Sequence, residues 1–531
     1  MPDEKGELRE INYRQLLPWT ELFRSFHIAL LDPRKLFLAA LGIFFMSLGW
    51  WILAHIFGNP TEPRREDYTA EQLGVTQEKA RAEYERAVAR TAFLRSMTDS
   101  YKTMPWDEPR GENPYRVITH DSDQLLSTGF WTSQVPVLLE PLTKFVRPIV
   151  ALLHPDAGFW LYVFCILGIL WTLAVWAVFG GAITRIAAVK VARNEQVSLG
   201  DALRFSVAKF LSYFAAPLYP ALGVAVIVLV MVLVGGLLFL VPYVGDVLGA
   251  VLWFLVLIGG LIMAGLLIGY VGWPLMYATI STEGSDSFDA FSRCYQYVYQ
   301  RPWHYLFYTL VALLYGVLAI FFVVFLTSFF VYLGKFALDF IPWLDWRATG
   351  EPASALSVYA PTSYGWRDLL VGEHRVDYFL AEMNTGQQIG AVIVGFWLTL
   401  IFLMMVGFAY SYFWTFTTII YFLLRQQIDH QDFDEVYYEE DEEAYPVTAA
   451  SAPAAPAATE PVRAATLPLA PPAPEPTRAE PPKPPEPTRT EPPRTEPTRE
   501  EPPKAEVPKP EPPKPPPDTG NGNPPPKSTP S

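Results

Sequence analysis

The chain has 531 residues, of which 51% are hydrophobic and 18% charged, with 50 prolines and a formal net charge of −14. The acidic balance argues against nucleic-acid binding, and the apolar runs argue against a purely soluble protein, because six of them reach the ~18–20 residues needed to cross a bilayer core of ~30 Å. The mean hydropathy of +0.18 averages these runs with polar segments, and the pattern predicts an all-α integral membrane protein: six transmembrane helices in three hairpins, cytoplasmic amphipathic surface helices, an outer helical insertion and a disordered Pro-rich C-terminal tail.

Residues 1–35 read as a cytoplasmic arm and a surface helix, with Trp19, Leu22, Phe23, Phe26 and Leu30 on one side. Arg24, Arg34 and Lys35 flank the first span, 36–57, and basic flanks stay cytoplasmic. The start, MPDEKGELRE, is too acidic and mixed for a cleavable signal peptide. The insertion, 58–157, is rich in Ala, Glu, Arg and Lys around 76–96, which predicts a long, mostly exposed outer helix. Farther on, Pro136, Pro141 and Pro148 interrupt an apolar stretch. Such a stretch is a poor bilayer span, and fits either a re-entrant segment or a loop packed against the spans.

A membrane core over 158–428 carries the other five spans, at about 158–184, 211–241, 247–280, 304–333 and 388–424. Arg185, Lys190, Arg193, Arg204 and Lys209 crowd into one short connection, whereas 242–246 has no Lys or Arg. That asymmetry puts the first connection, and both termini, on the cytoplasmic side. Phe288, Phe291, Tyr295 and Val298 recur at helical spacing, so 282–306 reads as an amphipathic surface helix. Sliding the chain by 88 positions lays Asp289 on Asp201 and Glu283 on Glu195, with Arg293 in the same unit; a fainter copy begins at Glu21. Ser198-x-x-Asp201 resembles a capping box. The repeated unit is a surface helix, a span, a loop and a returning span.

The fourth span holds Gly259, Gly260, Gly265, Gly269 and Gly272. Small residues at such spacing serve close helix packing, or else a smooth wall along a substrate path. Nine acids and no Lys or Arg occur between Asp429 and Glu443, so 429–445 reads as an acidic segment, either a solvated face or a dock for a basic partner. From 446 to 531 the tail repeats Glu-Pro-Thr-Arg and Glu-Pro-Pro-Lys/Arg, a composition for hydrated polyproline II that serves as a spacer or as a ligand for a protein partner.

No span interior holds an ionisable residue, and no zinc-protease, nucleophile-elbow or phosphate-loop motif occurs. Cys165 and Cys294 have no metal or disulfide spacing and read as small buried hydrophobes. The expectation is therefore a non-enzymatic protein with no catalytic residue, no metal and no cofactor.

Glu283-Gly284, Asp289-Ala290-Phe291-Ser292-Arg293, Arg301-Pro302-Trp303, Ile420 to Arg425 and Asp434-Glu435-Val436 together resemble an uncharacterised family of bacterial multi-pass integral membrane proteins, over about 158–440. The layout of hairpins and surface helices is similar, at the level of hydropathy, to the membrane domains of Yip-family proteins and of glycerophosphodiester phosphodiesterases. The resemblance implies a bacterial plasma (inner) membrane protein and no particular reaction. Its partners are the lipid bilayer and a protein bound by the tail, and its oligomeric state is left open. The expected role is a membrane scaffold or assembly factor; the alternative is a transporter or export component with a path along the glycine-rich fourth span.

Overall fold

The computed structural model describes residues 17–108, 110–111, 113–119, 121–239, 244–339 and 385–437. The tail at 446–531, the loop at 340–384 and the acids at 439–443 lie outside the described residues. What is described is helical, without a strand. Six helices are long and apolar enough to cross a membrane: Pro33–Phe57, Phe159–Arg193, Leu218–Leu237, Trp253–Tyr270, Pro302–Gly334 and Gln388–Ile428.

A short helix, α1 (Arg24–Leu30), whose Phe26 packs on Phe322 and Phe408, runs into α2 (Pro33–Phe57), whose start is set by Asp32: its carboxylate accepts the Arg34 N–H at 3.1 Å. Pro33 at the first helical position costs nothing, since that N–H has no intrahelical partner. In the insertion, α3 (Gln77–Asp99) is mostly exposed, but its last turns bury Leu94 and Met97 against the bundle. Two further helices, α4 (Thr128–Leu138) and α5 (Glu140–Leu152), meet at Leu139. Pro141 starts α5, where its missing N–H is harmless.

The second long helix, α6 (Phe159–Arg193), runs past 184 and carries Arg185, Lys190 and Arg193 on its last turns. It ends on Asn194 in the left-handed conformation, and the chain turns into α7 (Leu199–Ala208) and α8 (Phe210–Ala215). Ser198 caps α7 by accepting the Asp201 N–H at 3.1 Å and donating to the Asp201 carboxylate at 2.5 Å.

Two boundaries differ from the expected spans. The third is split: α8 stops at Ala215 and α9 (Leu218–Phe239) begins after Pro217, which has no N–H to continue the helix. The fourth is broken twice, into a short helix (Val244–Val251), α10 (Trp253–Tyr270) and α11 (Trp273–Glu283), with breaks at Leu252 and at Val271–Gly272 just ahead of Pro274. An amphipathic helix, α12 (Ser287–Gln300), follows and leads to α13 (Pro302–Asp339) and α14 (Thr385–Ile428). Its N-cap is Asp286, one turn before Asp289, and Asp286 stands 88 positions after Ser198.

Packing sorts these helices into a core and an appendage. Helix α2 lies along α6 and α14, α13 along α14, and α11 is wedged between α6 and α14. By contrast, α9 packs along α10, and only 6% of each apolar window is buried. Leu222, Val232, Leu261 and Ile268 therefore face outward, a surface that suits lipid rather than water.

Helices α4 and α5 are not an outer layer. The α4 helix packs on α13 and α14, and α5 on α6 and α14. At their junction Leu138 is 1% exposed and packs within 3.1 Å of the place a Cβ would occupy on Gly316, mid-way along α13. The second half of the insertion thus fills the bundle instead of standing outside it. Apolar Val137, Leu138 and Phe145 account for the burial, while the prolines keep the pair short.

Candidate functional site

The α4–α5 wedge carries charge into the core. Glu140 opens α5 and Arg110 reaches it from the preceding loop, with side chains 8% and 3% exposed. Arg110 Nε donates to Glu140 at 3.0 Å, and its NH2 donates to Glu108 at 3.1 Å. Lys144, one turn along α5, bridges Glu140 at 3.1 Å and Glu108 at 2.8 Å. The Tyr410 hydroxyl of α14 donates to Glu140 at 3.4 Å, the Pro105 carbonyl accepts from Arg110, and the guanidinium lies 5.7 Å from the Phe402 ring centre. Burial by itself would raise the Glu140 pKa, but the charges of Arg110 and Lys144 outweigh it and hold the carboxyl below the usual range. Two acids and two bases make the cluster neutral, which is how ionic groups tolerate such a place.

These are the ionisable groups that a search confined to the apolar runs misses. Glu140 belongs to a stretch that reads as either a re-entrant segment or a packed loop, Arg110 to the insertion before it, and no periodicity places them beside Tyr410. The visible signal is Glu140-Pro141 with Lys144 four residues on, a helix start whose i,i+4 ion pair sits inside an otherwise apolar stretch. Lys35 is a further buried cation, at the first turn of α2, and donates to Thr415 at 3.3 Å.

A second cluster ties together the end of α6, the end of α11 and the last turns of α14. Arg185 on α6 is buried; it donates to the Ser281 carbonyl at 2.8 Å and to the Tyr437 carbonyl at 2.7 Å, with its guanidinium 4.3 Å from the Phe205 ring centre. Ser281 also pairs with Thr184 at 2.6 Å and Tyr213 at 2.7 Å. Glu283 pairs with Arg293 at 2.9 Å, accepts from Tyr421, and lies 3.8 Å from Arg425. Burial pushes the Glu283 carboxyl up against the pull of Tyr421 and the two guanidiniums. Asp289 pairs with Arg293 at 3.1 Å. Of the repeat positions, Glu283, Asp289 and Arg293 thus come together, while Asp201 serves the α7 cap and Glu195 stands exposed at the end of α6.

The beginning of the acidic segment is fastened here through its backbone and its apolar residues, while Asp432, Asp434 and Glu435 stay exposed. Arg425 donates to the Glu435 carbonyl at 2.8 Å, Asp429 accepts from Tyr297, Phe433 stacks on Phe422 at 5.5 Å, and the Tyr437 N–H donates to the Thr282 carbonyl at 2.7 Å. The Tyr437 ring crosses Gly284, whose φ of +64° and lack of room for a Cβ both require glycine. A polar cleft of ≈ 620 Å³ lies beside this segment, lined by Arg193, Glu283, Arg425, Asp434 and Glu435 among others.

The glycines of the broken fourth span face three different ways. Gly269 would place a Cβ 2.3 Å from the Tyr295 ring, and Gly272 one 2.4 Å from Val298, so both let α12 close on α10. Tyr295, Tyr299 and Tyr305 donate to the carbonyls of Leu266, Gly265 and Val271 at 2.6, 2.5 and 3.0 Å, and Cys294 Sγ lies 2.9 Å from the Gly272 carbonyl. Of these carbonyls, Val271 lies in the break, where the Tyr305 hydroxyl takes the place of a helical donor; Gly265 and Leu266 lie within α10, and the Gly272 carbonyl also accepts the Leu275 N–H at 2.8 Å. Gly259 sits against Met231 of α9, and Gly260 faces open space.

Among the described residues no group of three or more His, Cys, Asp or Glu side chains is arranged to hold a metal ion. Comparison with protein-family models, with curated proteins and with solved structures finds no match for this chain.

Proposed function

We propose that this chain is a non-enzymatic, multi-pass protein of a bacterial plasma membrane, a scaffold or assembly factor that presents its Pro-rich tail to a cytoplasmic protein partner. On this reading the six long helices form three hairpins, α2 with α6, α9 with α10 and α13 with α14, with both termini in the cytoplasm and α4–α5 as a re-entrant wedge. Membership of the uncharacterised bacterial family is part of the same proposal.

The observation that carries the reading is the fastening of 429–437. Arg185, Arg425 and the Thr282 carbonyl hold the segment that leads into the tail against the folded body. A fixed root lets a proline-rich arm act by reach and by repeated weak contacts, since tethering raises the local concentration of whatever it binds. The expected result is that a chain ending at Tyr445 inserts and melts as the full protein does, yet loses the partners recovered by crosslinking in cells. An unchanged set of partners would remove the tail from the function.

Orientation is tested separately, with single cysteines at Gly200 and Glu78, both exposed positions. The native Cys165 and Cys294 are buried and give little background. A membrane-impermeant thiol reagent added to intact cells should label Glu78→Cys and leave Gly200→Cys untouched; the opposite pattern would invert the topology.

A transport reading draws on a different observation, the charges of Arg110 and Glu140 inside the bundle, since ionisable groups at membrane depth commonly serve a pathway. Along α10, however, the inner glycines are filled by tyrosine rings and Val298, so a path on that face has little room. Retention of function by the chain ending at Tyr445, with loss in Glu140→Gln, would favour transport over the scaffold.

A further inference from the structure

The segment 431–437 crosses the ends of α6, α11 and α14 as a strap. Its apolar anchors are Phe433 on Phe422, the buried Val436 and the Tyr437 ring over Gly284. Much of the remaining hold comes from two arginines that the bundle buries, Arg425 at 3% and Arg185 at 6% exposure. Arg425 grips the strap with all three nitrogens: Nε donates to Gln431, NH1 to the Glu435 carbonyl at 2.8 Å and NH2 to the Glu435 carboxylate at 3.3 Å. Arg185 donates to the Tyr437 carbonyl at 2.7 Å. A buried guanidinium stripped of its acceptors is costly, so the strap leaves readily when other acceptor oxygens take its place. The charge of the ≈ 620 Å³ cleft points the same way. It is lined by two guanidiniums, Arg193 and Arg425, against three carboxylates, Glu283, Asp434 and Glu435. Two of those carboxylates belong to the strap. Without them the two guanidiniums outnumber Glu283, which Arg293 at 2.9 Å and the Tyr421 hydroxyl already engage. The cleft then turns from net negative to net positive, and Arg185 is uncovered beside it.

We propose that this cleft is a binding site for a terminal phosphate group, and that the strap is its built-in competitor, with the Glu435 carboxylate occupying Arg425 in the phosphate's stead. The fork of an arginine suits carboxylate and phosphate alike. A free carboxylate is a poor rival, because the chain holds Glu435 at an effective concentration that a soluble carboxylate does not match. A terminal phosphate brings about −1.5 to −2 charge and three strong acceptor oxygens. It therefore replaces on Arg425 the bonds that Gln431 and Glu435 now hold, with Arg193 to share the second charge. A cation finds no such place, since opening the strap removes carboxylates and exposes guanidiniums. The headgroup of a phosphatidate and a small soluble phosphate carry the same chemistry. Binding displaces the strap, and so frees the root of the tail. The site does not rest on the scaffold reading, because phosphate binding and strap release are read without any partner of the tail.

The test is hydrogen–deuterium exchange of the full chain, read at the strap, where the Tyr437 N–H is held by the Thr282 carbonyl at 2.7 Å. Two arms separate the sources of the phosphate. One adds inorganic phosphate in detergent at constant ionic strength, so that screening does not change; the other uses nanodiscs of phosphatidylcholine with or without phosphatidate. The expected result is a several-fold rise in strap exchange in at least one arm. A rise with inorganic phosphate assigns a small soluble ligand, and a rise with phosphatidate alone assigns a lipid headgroup. Glu435→Gln removes the competing charge from a side chain that is 58% exposed, so the core stays intact. It should lower the amount of phosphate or phosphatidate needed for half the effect several-fold. Unchanged exchange in both arms would overturn the proposal, as would slower exchange, which means binding over a closed strap. So would a half-effect that Glu435→Gln does not move.

Discussion

Replacing Arg110 with alanine is expected to destabilise the protein by about 3–5 kcal/mol, because it leaves the buried Glu140 carboxylate without its main partner. Lys144 remains 3.1 Å away but is itself shared with Glu108. The cost should fall sharply in Arg110→Met with Glu140→Leu, which removes both buried charges and leaves Lys144 and Glu108 to pair with each other. Thermal unfolding in detergent reads all three proteins. A single substitution within 1 kcal/mol of the parent, by the same scale, would mean that the cluster is hydrated and not buried.

The same pair sets an acid limit on stability. The folded-state pKa of Glu140 lies below its unfolded value, so its contribution is complete above the ordinary glutamate pKa of ~4.3 and is lost as pH falls from there through the lower folded value. Melting temperature should therefore be insensitive to this group at neutral pH and fall on acidification below about pH 4. In Arg110→Ala the carboxyl loses the charge that most held it down and burial then dominates; its folded-state pKa rises above the unfolded value, so the sign reverses and acid protonation of this group should stabilise the variant instead of destabilising it.

Long apolar runs and basic flanks make the six helices legible in the sequence, because each run is read from its own residues. Contacts between distant segments are not legible in that way. Pro136, Pro141 and Pro148 mark 136–154 as unfit to span a bilayer, which leaves a re-entrant segment and a loop packed against the spans equally open. That this stretch is helical and packs on the bundle shows only in the fold, through Leu138 fitting against Gly316, a contact spanning more than a hundred residues. Arg110 and Glu140 are hidden for the same reason, since a charged residue in a loop looks solvated until the loop is seen to enter the core. The acidic run shows the opposite limit: composition describes 429–443 as one block, yet its first residues carry Phe433 and Val436, which pack, and backbone groups that Arg185 and Arg425 fix. The 88-residue repeat is visible in sequence through Asp201 and Asp289. The caps one turn earlier, Ser198 and Asp286, keep the same spacing with different residue types, since either side-chain oxygen can accept the orphan N–H.

Glycines illustrate how little a small residue says about its neighbour. The fourth span draws notice by number, but two glycines elsewhere are the more tightly constrained. A Cβ on Gly168 of α6 would fall 2.0 Å from the Trp50 ring of α2, and one on Gly49 of α2 would fall 1.9 Å from the Trp171 indole of α6. Each helix therefore presents a tryptophan to a glycine on the other. Both indoles are anchored, Trp50 to Thr172 Oγ1 at 2.8 Å and Trp171 to the Phe45 carbonyl at 3.0 Å, and Trp50 stacks on Tyr101 at 4.2 Å. Neither ring can swing aside without losing its bond.

Gly168→Val is therefore expected to be among the most damaging single substitutions in the helical bundle. Overpacking alone typically costs about 1–3 kcal/mol, and displacing Trp50 adds about 1 kcal/mol for its hydrogen bond. The expected fall in stability is about 3 kcal/mol, the sum of these terms at mid-range, with weakened pairing of α2 and α6. A double-mutant cycle isolates the cause: Trp50→Ala opens the space that the valine needs, so the double variant should be more stable than the sum of the two single losses predicts. If Gly168→Val melts with the parent, or if the two losses simply add, the glycine is not what lets Trp50 seat between these helices.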